Sequence, residues 1–334
     1  MNDGSVDVTV GQAFQQGVRE EMERDERIFV IGTDLFRRGG HFAQVKGIGE
    51  LFGKKRVRDA PISEAAIVAA GVGAAMNGAR PLVDLNFIDF ALGAADEVIN
   101  QAAKMRYMSG APMPLVIRAS SGVALYGAQH NNSFEGWFSS TPGLLVATPS
   151  TPADTKGLIK SALRGEDPVI FLMHKRLTGV RAPAGGPDDL VPFGSAVIRR
   201  SGSDVTLVSY SFSVRRVLDA AAILAEHGID AEVIDLRTLQ PLDLETVETS
   251  VKKTGRALVI DEAPRFGGVA AEIAAAVQEA VFDFLDAPVT RIGAAFAPIA
   301  HSPTLVDAAI PGVDTIVAGV RASIDRWFPA EEVP

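Results

Sequence analysis

The sequence predicts an α/β fold of two domains, each a mostly parallel sheet flanked by helices. Three observations carry that prediction. Short β-branched runs alternate with longer stretches of helical periodicity, the pattern of strand-helix-strand units. Residues are 47% hydrophobic but only 7% aromatic, so the core is assembled from Ala, Val, Leu and Ile, a mix that suits helices packed closely on parallel strands. At 334 residues the chain is long enough to bury two cores of ordinary size.

In the first half, helical periodicity predicts a helix over about 10–24, followed by the strand Ile28–Ile31. A helix made almost wholly of Ala, Gly and Val follows at about 65–77, then the strand Leu82–Asn86 and a helix at about 93–108. Strands at Leu115–Arg118 and Leu144–Ala147, a helix at about 153–164 and a strand at Val169–Leu172 complete this half. Residues Thr178 to Gly194 carry 4 Gly and 3 Pro in 17 positions, too many breakers for a continuous element. They divide the chain into a domain at 1–177, a linker at 178–194 and a domain at 195–334. In the second domain, β-branched runs predict strands at Val205–Ser209, Ala231–Asp235, Ala257–Ile260 and Val289–Arg291. Helices near 213–227, 243–253, 269–284 and 314–327 separate and follow them.

The balance of 32 Lys+Arg against 41 Asp+Glu gives a net charge of −9, which repels nucleic-acid phosphates and anionic lipid. Zero cysteines exclude a disulfide framework, a Cys-ligated zinc site and a thiol nucleophile, and they fit a reducing cytoplasm. The run MNDGSVDVTV lacks a cationic region followed by an apolar stretch, so no secretory signal is expected. The longest low-polarity run, Ile67 to Met76, is too short to span a bilayer.

Two segments point to enzyme chemistry. Glu64 stands just before the small-residue helix, where an apolar surface desolvates a carboxylate and favours its protonated, hydrogen-bond-donating form. The structural reading is a helix-capping acid beside Ser63, which itself would cap the helix. In Tyr126–Ser133, His130 is flanked by polar residues and Gly, where a general acid or base is easily positioned; the structural reading is a hydrogen-bonded core histidine. The glycines from Gly71 to Gly78 do not open a helix after a strand as a dinucleotide site requires, so close helix packing explains them. Phe266-Gly-Gly-Val-Ala reads as a tight turn with a helix cap, His174-Lys175-Arg176 as a solvated surface cluster, and Asp261-Glu262 as a turn closing a strand.

The order RVRDAPISE, GAAMNGARPLVDLNFIDF, DEVINQAAKMRYMSG and GAQHNNSF resembles the β subunit of the thiamine-diphosphate-dependent 2-oxo acid dehydrogenases. The segments PGLLVATPSTPADTKGLIKSALRGEDPVIF, EVIDLRTLQPLD and KTGRALVIDEA extend the likeness, so it runs from about residue 7 to 327 and is nearest the pyruvate, acetoin and branched-chain members. The resemblance implies a transketolase-like pyrimidine-binding domain followed by a transketolase C-terminal-like domain. It implies that Glu64 hydrogen-bonds a ring nitrogen of the cofactor's aminopyrimidine and favours its imino tautomer, and that Phe90 packs on the pyrimidine face. His130 would hydrogen-bond or protonate the substrate-derived species or steer acyl transfer. Carbonyls of Leu115, Ala162, Leu163, Gly165 and Asp167 would enclose a monovalent cation, K⁺.

The resemblance also assigns the cofactor's diphosphate and its Mg²⁺ to an α subunit through a Gly-Asp-Gly motif, which this chain lacks. The implied assembly is an α₂β₂ heterotetramer, with a lipoyl acyltransferase core as a further partner. Three positions depart from the family pattern. Thr33, at the cofactor-facing position, replaces an acid in Gly32-Thr33-Asp34, Met173 replaces a second acid at a strand end, and His301 appears where none is expected. Losing negative charge beside a thiazolium alters the electrostatic stabilisation available there. The implied activity is decarboxylation of a 2-oxo acid with acyl transfer to a lipoyl domain. Two rivals remain: a two-subunit, transketolase-like carboligase using an aldehyde or ketone acceptor, and a non-catalytic assembly partner.

Overall fold

The computed structural model describes residues 7–325, which form two compact units. In chain order the strands are β1 (Val8–Thr9), β2 (Ile28–Gly32), β3 (Val57–Asp59), β4 (Arg80–Phe87), β5 (Val116–Ser121), β6 (Leu145–Ala147), β7 (Val169–His174) and β8 (Arg181–Ala182). They continue as β9 (Val197–Arg200), β10 (Val205–Ser209), β11 (Ala231–Asp235), β12 (Thr238–Gln240), β13 (Ala257–Pro264) and β14 (Thr290–Ala294). The helices are α1 (Val10–Arg24), α2 (Leu35–Arg38), α3 (Ile48–Arg56), α4 (Glu64–Met76), α5 (Ala103–Ser109), α6 (Glu135–Ser139) and α7 (Pro152–Arg164). The rest are α8 (Ser213–Glu226), α9 (Leu244–Thr254), α10 (Val269–Val281), α11 (Pro303–Ala309) and α12 (Val313–Asp325). The expected helix at 93–108 is instead a succession of a 3-10 turn at Ile88–Ala94, a π-helical turn at Glu97–Ala102 and α5. Of the expected helix at 314–327, the last two residues lie outside the described chain.

The first unit takes the chain up to Ser121, then Trp137–Phe193 and Thr238–Pro241. Its sheet has seven strands in the order β12-β6-β7-β5-β4-β2-β3, with β12 antiparallel on β6 and every other pairing parallel. The central strands β4, β5 and β7 are buried almost throughout, which is why their sequences read as apolar runs rather than alternations. Helix α4 lies against β4 because Gly71 has no side chain: a Cβ there would come within 2.7 Å of Val83 Cγ2 and 3.1 Å of Leu115 Cδ1. The glycine is therefore a packing residue, as expected from the sequence. The 178–194 stretch is not a loose tether. Its β8 pairs antiparallel with β1, Lys160 Nζ hydrogen-bonds the Pro187 carbonyl, and Gly157 packs on Val191. Glycine and proline there end regular elements without releasing the chain from the unit.

The second unit comprises Gly122–Gly136, Gly194–Arg237 and the chain from Leu242 onward. Its five strands run β14-β13-β10-β11-β9, parallel except for the edge strand β9. Val205, Leu207, Val217, Leu224, Val233, Leu258, Ile316 and Val320, each fully buried, form its core. Burial of a side chain of this size is worth about 1.5–3 kcal/mol. A second apolar cluster, Val123, Ala294, Ile299, Val306 and Ile310, seats the 122–136 excursion on this unit.

Candidate active site

Glu64, Phe90 and Thr33 all lie at the carboxyl edge of the first unit's sheet, where open α/β sheets place ligands. Thr33 follows β2, Phe90 sits in the turn after β4, and Glu64 opens the helix after β3. Ser63 flanks α4 in an extended conformation and makes no capping hydrogen bond, against the sequence expectation. Glu64 is half-buried, and its carboxylate makes no hydrogen bond or ion pair with the described residues. It is thus an acceptor at a helix amino terminus that the fold leaves for something else.

Phe90 belongs to an aromatic wall. Its ring meets Phe87 edge-on at 5.8 Å, His41 packs on Phe87 at 4.6 Å, and Lys175 Nζ lies 5.3 Å over the Phe87 ring. The His174-Lys175-Arg176 cluster is therefore not solvated. His174 and Lys175 are buried, and His174 Nδ1 accepts the Arg176 backbone N–H at 3.0 Å. The strand they end, β7, is interior to the sheet, so its last residues inherit that burial.

A polar network that sequence reasoning missed underlies this edge. Asn86, in the left-handed region at φ 60°, donates from its side chain to Thr33 Oγ1 at 2.7 Å and accepts the His41 N–H at 3.1 Å. Asp84 accepts the Asn86 N–H at 2.8 Å, Arg118 Nη1 at 3.3 Å and Gln44 Nε2. Arg118 is wholly buried and also donates to Ser120 Oγ at 2.7 Å. Burial pulls its guanidinium below the ordinary arginine range, an effect that Asp84 opposes. The signal was in the sequence: an acid in PLVDLNF and a cation in LVIRASS must pair if those runs are buried strands. Met173 is buried near the end of β7.

His130 belongs to the second unit. The chain leaves β5 at Ser121, and His130 ends a 3-10 turn, half-buried, its N–H bonded to the Gly127 carbonyl at 3.1 Å. His301, in the same unit, is exposed. The carbonyls of the expected cation turn each already accept a hydrogen bond at four places. Leu115 takes the Val169 N–H, Ala162 the Gly165 N–H, and Leu163 and Gly165 the buried Arg80 guanidinium. Asp167 forms an ion pair with Arg106 at 2.9 Å. A carbonyl has two lone pairs, so one hydrogen bond does not by itself exclude a cation.

Residues 6–180 match the transketolase pyrimidine-binding domain and residues 194–316 the transketolase C-terminal domain. Covering 96% of this chain and 92% of the relative, the sequence is 41% identical to the human mitochondrial pyruvate dehydrogenase E1 component subunit beta. It is 40% identical to the 2-oxoisovalerate dehydrogenase subunit beta of Bacillus subtilis, covering 92% of this chain and 96% of that one. The pyruvate dehydrogenase E1 subunit beta of Rhizobium meliloti is 43% identical over 94% of this chain and 69% of its own length. Among solved structures, a split-gene transketolase, described as an inactive beta4 tetramer, superposes with a TM-score of 0.80 at 23% identity, covering 95% of this chain and 98% of that one. That likeness shows the fold. Together, the two transketolase-type domains in series and the near full-length identity place this chain in the family of 2-oxo acid dehydrogenase E1 β subunits.

Proposed function

We propose that this chain is the β subunit of a thiamine-diphosphate-dependent 2-oxo acid dehydrogenase, which decarboxylates a 2-oxo acid and passes the acyl unit to a lipoyl domain. One observation carries the site assignment: Glu64 offers a half-buried carboxylate with no partner among the described residues, on the same sheet edge as the Phe90 ring. A carboxyl group on the same sheet edge as an aromatic ring fits a flat, nitrogen-bearing pyrimidine, with one proton shared between the carboxyl and a ring nitrogen. When bound, thiamine diphosphate supplies the nucleophilic carbon and the electron sink that decarboxylation needs. Glu64 would hold the pyrimidine through a ring nitrogen, and Phe90 would pack on its face. Thr33 is held by Asn86 and presents no charge at that edge. His130 would hydrogen-bond or protonate the substrate-derived species or steer transfer of its acyl group.

The diphosphate and Mg²⁺ belong with an α subunit, because this chain has no Gly-Asp-Gly sequence, and the working assembly is α₂β₂ with a lipoyl acyltransferase as acceptor. The test is to mix the chain and its α partner with a 2-oxo acid and a purified lipoyl domain. Acyl-lipoyl domain detected by mass is the expected product. A ketol formed with an added aldehyde, and no acylated lipoyl domain, would establish the carboligase instead; neutral Thr33 and Met173 are what motivate that alternative. K⁺ is proposed at the turn of Ala162, Leu163, Gly165 and Asp167 with Leu115. Raising K⁺ at constant ionic strength is then expected to stabilise the fold by RT ln(1 + [K⁺]/Kd) and so raise the unfolding temperature, while choline does not. Equal melting in both salts removes the cation from this site.

A further inference from the structure

Asp261 and Glu262, expected at a turn closing a strand, lie inside β13, with Asp261 1% exposed. Glu262 is tied to the excursion that carries His130, and Asp261 faces Glu135 at its end. At its start, the Val123 N–H donates to Glu262 Oε1 at 2.6 Å, a bond between residues 139 positions apart. In its middle, Asn131 accepts the Ala124 N–H at 3.0 Å and donates to the Ala300 carbonyl. At its end, Glu135 is buried, and a Cβ at Gly136 would lie 3.4 Å from the Gly267 carbonyl, just past β13.

The groups facing Asp261 are Tyr210 from the chain just past β10, Glu135 from α6, Glu262 from β13 itself, and the Ala270 N–H in the first turn of α10. Tyr210 donates to Asp261 Oδ2 at 3.1 Å, while Oδ1, also buried, has no hydrogen-bond partner among the described residues. Burial, reinforced by the charges of Glu135 and Glu262 and opposed by Tyr210 and the Ala270 N–H, pushes the Asp261 carboxyl up to about 8.

We propose that Asp261 and Glu262 are positioning residues for His130, Glu262 fastening the start of the 122–136 excursion to β13 and Asp261 facing its end at Glu135. The functional weight of this rests on the role proposed for His130; the fastening itself does not. The sign follows from linkage. The fastened state binds the Asp261 proton more tightly than an opened one, so fastening is fully supported in acid. It weakens as pH rises, and the dependence ends above about 8, where both states are ionised.

The test is amide hydrogen exchange of residues 123–132 in the full chain with its α partner, corrected for intrinsic rates, from about pH 6 to about pH 9. Protection is expected to fall by up to about tenfold per pH unit and to level off near 8, while amides of β10 and β11 hold steady. Asp261→Asn removes the slope. Glu262→Ala loses protection at Val123 at every pH, and Glu262→Gln, which keeps an acceptor, retains it. A flat profile in the unaltered protein, or a slope that survives Asp261→Asn, overturns the proposal. Because exchange is read without turnover, an unchanged kcat in His130→Ala would remove the role of His130 and leave the fastening in place.

Discussion

Glu64→Gln is expected to lower kcat by about 10²–10⁴ while leaving the fold intact. Little structure depends on this carboxylate: it makes no hydrogen bond or ion pair with the described residues, and α4 is held by the packing of Ile67, Val68, Gly71, Val72 and Ala75. The favourable interaction of its charge with the helix amino terminus is worth about 0.3–1 kcal/mol, which bounds the stability change. A large kinetic loss with a small stability loss is the signature of a group that acts on a bound partner. The measurement is steady-state decarboxylation of a 2-oxo acid by the reconstituted α and β chains, with melting curves on the same samples. Unchanged turnover would leave the non-catalytic assembly role as the reading of this chain.

The second large effect concerns stability. Asp84→Ala removes the carboxylate beside Arg118, whose side chain is wholly buried, and it also strips an acceptor from Gln44 and from the Asn86 N–H. Breaking a buried pair from one side leaves an uncompensated charge and costs about 3–5 kcal/mol. The loss is expected to exceed that of Arg118→Met, which keeps an apolar stem and leaves Asp84 its hydrogen bonds from Gln44 and the Asn86 N–H. The double variant should be more stable than Asp84→Ala alone, since it no longer buries an unpaired cation. Urea unfolding of the four proteins closes the cycle. Additive single effects would mean that the pair is not coupled. Because Asn86 also holds Thr33 and the His41 backbone, Asp84→Ala should disturb the sheet edge beside Glu64 as well.

Much of the architecture was legible because it is written locally. The helix at 10–24 matches α1, and the strands at 205–209 and 231–235 match β10 and β11, each set by a pattern contained within a few residues. The elements that were missed are short and depend on neighbours: β1 and β8 have two residues each and exist because they pair. The π-helical turn at Glu97–Ala102 interrupts a stretch whose composition is helical throughout. Position within the sheet likewise decided the fate of charged residues. His174-Lys175 and Asp261-Glu262 look like strand-end polar residues, and burial of both pairs follows from interior strands.

The sequence by itself determined the alternation of strands and helices, the apolar core composition, the small residue needed at Gly71, and the motif that carries Glu64, Phe90 and His130. Those depend on side-chain type and spacing along the chain. Only the tertiary structure decided that Asp84 would neutralise Arg118, that Asn86 would hold Thr33, and that the His130 excursion would join the C-terminal unit through Glu262. These are pairings across tens to more than a hundred residues. Hydrophobic burial folds the sheets and selects no particular polar partner, so each partner is fixed only when folding brings two buried groups to one place where water is absent.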